Sequence, residues 1–331
     1  MNVLVSGADG EMGHALIPAL ATRGARIVAL DQRTPAAELR ELCAEFVQAS
    51  ILDETVMRDV FARQRFERVF HLAAVLSSKA EQDLDLAERV NVDGTYGIFR
   101  LCLEQASHGG LAPRLLFPSS IAVYGLPDAQ TKSSHGAVRE AEWLAPAGMY
   151  GCNKLYGEVL GNYLSARRAK PALDFRSIRF PGLISAETLP SGGTTDYAPE
   201  MIHAAAQGRP YVCFVAGTSR LPFMTMPDAI DALLALAEAE PGQLRARAYN
   251  IQGFSASAGE LRAETLRHFP AATITFAPAP ARQAIVDSWP AALDDRRARE
   301  DWGFAPRHSL SEALSDYLVP ALRVRYGVHP A

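Results

Sequence analysis

The chain has 331 residues, 48% hydrophobic and 21% charged, the composition of an ordinary globular protein long enough to bury one large or two smaller cores. Its net charge of −4 argues against a nucleic-acid footprint or an anionic membrane partner, and no apolar run approaches the ~18 residues of a membrane span. Cys43, Cys102, Cys152 and Cys213 form no C-x-x-C pair and the histidines show no ligand spacing, so a reduced cytoplasm is expected, with no disulfide framework and no metal.

A strand pattern starts at Asn2, so no signal or transit peptide is expected. Val3-Leu4-Val5 runs into Ser6-Gly7-Ala8-Asp9-Gly10-Glu11-Met12-Gly13 and then a helical stretch from His14 to Arg23. Strand, glycine turn and helix in that order give a three-glycine motif its meaning. Gly7 permits the tight turn, Gly10 lets backbone approach a pyrophosphate at the helix N-terminus, and Gly13 lets helix pack on sheet. Arg26–Leu30 is a second strand that ends in Asp31. A carboxylate there accepts hydrogen bonds from a ribose and repels a 2′-phosphate, which favours NAD over NADP. Arg33, two residues on, is a group that could accommodate that phosphate.

Strands and helices then alternate: Phe46–Gln48 a strand, Thr55–Arg63 a helix, Val69–Leu72 a strand, Leu84–Gln105 one long helix, and Leu115–Phe117 a strand leading into Ser119-Ser120. This alternation predicts an α/β fold, a Rossmann doubly wound parallel sheet whose ligands gather beyond the carboxyl ends of the strands. Leu126–Pro146 has no period and reads as a surface excursion. The helix containing Tyr150 is expected to run to about Lys170, with Asp174–Arg179 as the sixth strand.

Past Phe180-Pro181-Gly182 the character changes, and Ser191-Gly192-Gly193-Thr194-Thr195-Asp196 is a polar glycine loop. Tyr197–Gln207 and Pro227–Ala239 read as helices, Tyr211–Phe214 and Tyr249–Ile251 as strands, and loops are expected between Ala271 and Ala292. Ser257-Ala258-Gly259-Glu260 and Ser309-Leu310-Ser311-Glu312 fit capping boxes. The expected division is a nucleotide-binding domain over residues 1–180, with a return segment near 225–255, and a smaller C-terminal α/β substrate-binding domain over 181–331.

Tyr150 and Lys154 stand four apart, on one face of a helix. An ammonium beside a phenol favours the phenolate, and a serine hydroxyl such as Ser120 could hold the same substrate oxygen while the phenol takes its proton. Cys152, between them, reads as a packing residue.

Gly7-x-x-Gly10-x-x-Gly13, His71-Leu72-Ala73-Ala74, Asn91 before Gly94-Thr95, Phe117 to Gly125 and Tyr150-x-x-x-Lys154 together resemble the extended short-chain dehydrogenase/reductase family. In the second half, Arg176 to Ser185, Gly192 to Ala198, Thr218 to Pro222, Met226 to Ile230, Arg282 to Pro290 and Asp294 to Gly303 resemble the branch of that family that oxidises L-threonine. The resemblance implies bound NAD, with Tyr150, Lys154 and Ser120 as the acid/base set. It implies cofactor contacts from Gly7, Gly10, Glu11, Met12, Gly13, Asp31, Gln32, Ile51, Leu72, Ala73, Ala74, Asn91, Tyr150, Lys154 and Leu183. Substrate contacts are implied for Ser77, Ser120, Tyr150, Thr194, Thr195 and Asp196, with L-threonine as the small-molecule substrate. Relatives in this family pair through helices corresponding to Leu84–Gln105 and Tyr150–Lys170, so a homodimer is expected. Three other readings stay open: a short sugar-acid dehydrogenase acting on a compound such as D-erythronate, a nucleotide-sugar epimerase, and a dinucleotide sensor without turnover. Arg220 and the long Leu126–Pro146 stretch favour the first two.

Overall fold

The computed structural model describes residues 1–108, 112–166, 172–190 and 192–327; Lys170 and Ser191, named above, lie outside the described residues. The chain forms two compact units. One comprises Met1–Ser120, Met149–Arg179 and Leu233–Tyr249, and the other Ile121–Gly148, Phe180–Ala232 and Asn250–Ala331.

In the first unit, β1 (Asn2–Ser6), β2 (Arg26–Asp31), β3 (Glu45–Gln48), β4 (Arg68–His71), β5 (Arg114–Ser120), β6 (Asp174–Phe180) and β7 (Ala248–Asn250) form one sheet in the order β7-β6-β5-β4-β1-β2-β3. β1 pairs in parallel with β2 and β4, β2 with β3, and β4 with β5. Val3, Leu4 and Val5 of β1 and Ile27, Val28, Ala29 and Leu30 of β2 are at most 1% exposed, as parallel strands covered on both faces require. The strand order reverses between β1 and β4, so the binding crevice of a doubly wound sheet opens at their carboxyl ends. The expected parallel sheet is borne out, and its last strand is Ala248–Asn250.

Helices α1 (Glu11–Thr22), α2 (Glu54–Arg63), α3 (Thr95–Ser107) and α4 (Met149–Ala166) belong to this unit. α2 starts where the Asp53 side chain accepts from Val56 N. Gly157 and Gly161, inside α4, each weaken it as an isolated helix by about 1 kcal/mol. Packing explains them. A Cβ at Gly157 would lie 2.6 Å from Phe117 Cζ, and one at Gly161 2.5 Å from Phe175 Cδ2. The missing side chains let the helix rest on the rings of Phe117 and Phe175, which are tilted against each other and each meet Phe99 edge-to-face, with centroids 5.5 to 6.1 Å apart.

The single helix expected from Leu84 to Gln105 is three segments, Leu84–Glu88, a wider π-helical stretch Arg89–Gly94, and α3. Periodicity cannot register such a change of pitch, which here follows from two local demands. The Asn91 side chain is drawn to the Val75 backbone, and Gly94 makes room for Ile51, whose Cδ1 would lie 2.5 Å from a Cβ there. On the other edge, the carboxyl end of the helix Met226–Glu238 is held by cations: Arg114 donates to Ala237 O at 2.8 Å, the buried Arg176 donates to Leu236 O at 2.7 Å, and Arg68 pairs with Glu238.

The second unit is built from small sheets. Phe254–Ser257, Arg220–Thr225 and Gly182–Ile184 form a three-stranded sheet, with Arg220–Thr225 antiparallel to the first and parallel to the last. Both expected capping boxes are present, at Ser257 with Glu260 and at Ser309 with Glu312. The stretches expected to be loops hold more structure than that. Asp128 caps a helix Ala129–His135, Ala137–Val138 pairs with Ala292–Leu293, Ile274–Phe276 runs parallel to Tyr211–Cys213, and Pro280–Ser288 is a helix. Strands of two or three residues have no period to detect, which is why they escaped. The excursion is fastened by Lys132, 7% exposed, whose Nζ donates to Val286 O at 2.7 Å. Ile121–Gly148 therefore clusters with the second unit, although it was expected within the first domain.

Candidate active site

The glycine turn opens at Gly7, whose φ of +76° places it in the left-handed region. A Cβ there would lie 2.5 Å from Ala73 N, so the turn leans directly on the backbone leaving β4. Gly7 N and Ala8 N both donate to Leu30 O, at 2.9 and 3.2 Å, and His14 N donates to Gly10 O at 2.9 Å, which starts α1. A Cβ at Gly10 would meet only Gly7 O, at 3.2 Å, and otherwise project into open space over the helix N-terminus. This is a cradle that a side chain would fill, and it fits a dinucleotide diphosphate. Gly13 brings the helix close to the turn leaving β1. Its missing Cβ would sit 2.3 Å from Ala8 O, so its smallness serves the turn itself.

Asp31 lies at the end of β2 as expected. Its Oδ2 accepts from Asp9 N and its Oδ1 from Arg33 N, each at 3.0 Å. The carboxylate is thus fixed in orientation, with lone pairs still available for hydroxyls. Gln32 is exposed beside it, Glu11 and Met12 open α1 half-buried, and Leu72, Ala73 and Ala74 follow β4 half-buried. Ile51 is buried against Gly94. Asn91 was expected among the cofactor contacts; its amide instead spans the Val75 backbone, Oδ1 accepting from N at 2.8 Å and Nδ2 donating to O at 3.0 Å. It shapes the segment after β4 from behind.

Tyr150 and Lys154 share the inward face of α4, the Lys154 Nζ lying 5.5 Å from the Tyr150 ring centroid and 4.6 Å from that of Phe117. Burial dominates their electrostatics. It pushes the Tyr150 phenol up, opposite to the lowering expected from a neighbouring ammonium alone. It also pulls Lys154 down to about 7, against the opposing pull of Glu158. Glu158, one turn on, is held by Arg179 of β6, with Nε to Oε1 at 2.9 Å and Nη2 to Oε2 at 2.6 Å. Asn153 lies between Glu88 and Asn91, at 3.2 Å from each. Sequence reasoning missed Asn153 and Glu158, yet their spacing from Tyr150, three and eight residues, put them on its face.

Of the serine pair, Ser119 is 3% exposed and its Oγ is buried without a hydrogen-bond partner among the described residues; Ser120 is half-buried at the carboxyl end of β5. Behind the strands, His71 Nδ1 meets Ser6 Oγ at 2.8 Å and its Nε2 meets Thr95 Oγ1 at 3.0 Å. Desolvation, with Lys154 adding to it, lowers His71 to about 3, so the ring is neutral. Ser77 starts the helix Ser77–Gln82 and is half-buried.

Leu183, Thr194, Thr195 and Asp196 belong to the second unit. Leu183 is half-buried and pairs with Met224. Asp196 was expected to face an ammonium; its Oδ2 accepts from Gly192 N at 2.8 Å and Gly193 N at 2.6 Å, closing the glycine turn, and burial raises its carboxyl. Arg220 is bound to Glu260, Nη2 lying 2.7 Å from each oxygen. Among the described residues no group of three or more His, Cys, Asp or Glu is placed to hold a metal ion.

The chain matches the NAD dependent epimerase/dehydratase family over residues 3–251. It is similar to the mitochondrial L-threonine 3-dehydrogenase of Bos taurus, 34% identical over 318 residues that cover 96% of this chain and 81% of that protein. Among solved structures, a monomeric L-threonine 3-dehydrogenase from a metagenome, in its apo form, is 34% identical with a TM-score of 0.87 over 97% of this chain and 99% of that one. The holo form of an L-threonine dehydrogenase from Cupriavidus necator is 33% identical with a TM-score of 0.87 over the same shares.

Proposed function

This chain belongs to the NAD dependent epimerase/dehydratase family, and from that premise we propose that it oxidises L-threonine at Cβ to 2-amino-3-oxobutanoate with NAD⁺. The observation that carries this reading is the likeness to L-threonine dehydrogenases along 97% of the chain, which includes the half that lies outside the glycine turn and the Tyr150 helix. Bound NAD⁺ supplies the acceptor for the hydride lost from Cβ.

The chain supplies the rest. The open face of Gly10, the N-terminus of α1 and Asp31 hold the diphosphate and ribose ends, and Ala73 and Ala74 wall the crevice. Tyr150 takes the proton of the β-hydroxyl while Ser120 holds the same oxygen. Tyr150 accepts that proton as the phenolate, whose charge Lys154 offsets beforehand; because burial raises the phenol, the ammonium is needed, and Glu158 favours its protonated form. Ser77, Thr194, Thr195 and Asp196 are the proposed contacts for the amino and carboxylate groups. Arg220, which favoured a sugar-nucleotide substrate, is taken up by Glu260, so the amino acid is preferred.

The protein acts in the cytoplasm, a location that four free cysteines support; among the described residues no helix is long and apolar enough to cross a membrane. It pairs as a homodimer through α3 and α4, where Tyr96, Tyr156, Val159 and Tyr163 are 49, 46, 62 and 63% exposed, an apolar face of the kind that marks a contact. Cys152 lies exposed on α4 as well, outside the packing role expected for it.

The deciding experiment follows NADH or NADPH formation with L-threonine, L-serine and D-erythronate, each with NAD⁺ and NADP⁺, and formation of the epimeric sugar nucleotide from UDP-glucose, because an epimerase regenerates its NAD⁺. Turnover of L-threonine with NAD⁺ is expected. Silence with L-threonine alongside turnover of another substrate would replace this reading.

A further inference from the structure

Arg33 stands two residues past Asp31, where a guanidinium can receive the 2′-phosphate of NADP. In this chain it is folded back onto the glycine turn. Its Nε lies 3.0 Å from Asp9 Oδ2 and its Nη2 donates to the Asp9 carbonyl at 2.9 Å. The other carboxylate oxygen, Oδ1, meets His14 Nε2 at 3.1 Å. The Asp9 side chain is 18% exposed and that of Arg33 70%, so the carboxylate is the fixed partner and the arginine the one drawn in. The main chain supports the same arrangement, since Asp31 accepts one hydrogen bond from Asp9 N and one from Arg33 N.

We propose that Asp9 is a specificity-determining residue for the cofactor, acting by sequestering Arg33. Preference for NAD over NADP then has two sources: Asp31 disfavours a 2′-phosphate, and Asp9 withholds the cation that would welcome one. An ion pair to a largely covered carboxylate, backed by a second hydrogen bond to the same residue's carbonyl, is stronger than a loose surface pair. The contact also neutralises a carboxylate placed within the turn that must accept a diphosphate, so Arg33 serves NAD binding while being denied to NADP. This rests on the cofactor assignment above.

The test is calorimetric binding of NAD⁺ and NADP⁺, without substrate, to the wild type, to Asp9→Asn, and to the Asp9→Asn/Arg33→Ala pair. Asparagine keeps the shape at position 9 and removes the charge. The ratio of NADP⁺ to NAD⁺ affinity is expected to rise about five- to tenfold in Asp9→Asn, the range one such contact supports, and to fall back in the double variant. An unmoved ratio in Asp9→Asn overturns the proposal, as does a gain that survives loss of Arg33, which would trace it to the missing carboxylate. A wild type that binds no NAD⁺ overturns the cofactor assignment and this proposal together; one that binds NAD⁺ but does not oxidise L-threonine leaves the binding ratios to decide the proposal alone.

Discussion

Asn91 and Asn153 meet through their side-chain amides inside the first unit, Asn91 Nδ2 donating to Asn153 Oδ1 at 3.2 Å. One residue belongs to the π-helical stretch and the other to α4, so this bond ties the segment around Val75 to the helix that carries Tyr150 and Lys154. Asn153→Ala removes a partner from a buried donor. It is expected to lower stability by about 1–3 kcal/mol, read from denaturant midpoints, and to weaken NAD⁺ binding as the Val75 segment loosens. Unchanged NAD⁺ affinity would confine the bond to a structural role.

Tyr150→Phe keeps the ring and removes the hydroxyl. With the proton acceptor gone, kcat for L-threonine is expected to fall by about 10²–10⁴, while NAD⁺ binding measured by calorimetry stays close to wild type. A variant that turns over normally would transfer the role of base to another group.

Glu158→Gln breaks a buried ion pair with Arg179 and removes the carboxylate that holds Lys154 up. Loss of one partner is expected to destabilise by about 3–5 kcal/mol. Lys154, already at about 7, then loses its proton at lower pH, so the alkaline limb of the kcat/KM profile moves toward acid. A profile that stays in place, with only the melting temperature lowered, would limit Glu158 to packing.

The neutral, buried His71 sets an acid limit on stability. Its pKa is near 3 in the fold against about 6.5 unfolded, so below pH 6.5 the unfolded chain binds a proton that the native one does not. Stability therefore falls as pH drops from 6.5 toward 3, by about 1.4 kcal/mol per pH unit for one such group. His203, which burial also lowers, contributes in the same direction. The check is ΔG by urea titration at pH 6.5 and 5.0, where His71→Gln is expected to show the shallower slope.

Gly7→Ala and Gly10→Ala separate fold from binding. At Gly7 the added carbon meets the Ala73 backbone at a positive φ, which costs about 1–3 kcal/mol before any clash is relieved. At Gly10 it meets only Gly7 O, at 3.2 Å, so the melting temperature should fall less than in Gly7→Ala while NAD⁺ affinity drops. Equal destabilisation by both would remove the distinction.

Much of the first unit was legible because its signals are local. β1 and β2 are short apolar runs bounded by a glycine turn and an aspartate, and α4 carries Tyr150 and Lys154 at helical spacing. What stayed hidden depends on partners distant in sequence. Asn91 reads as a polar helix residue until Val75, sixteen positions away, is seen to take its amide. Asp196 reads as a free carboxylate until the turn it closes is drawn. The phenol was expected to be lowered because charge is visible in a sequence and burial is not; in the fold desolvation governs both members of the pair.

The contact between Gly157 and Phe117 makes two positions interdependent. An extra methyl at 157 can be accommodated only if the ring at 117 shrinks, yet that same ring lies 4.6 Å beneath the Lys154 ammonium and shares its π face with the cation. Any compensating exchange that keeps helix and strand together would therefore retune the proton acceptor, so in this protein the spacing of the scaffold and the reactivity of its centre cannot drift separately.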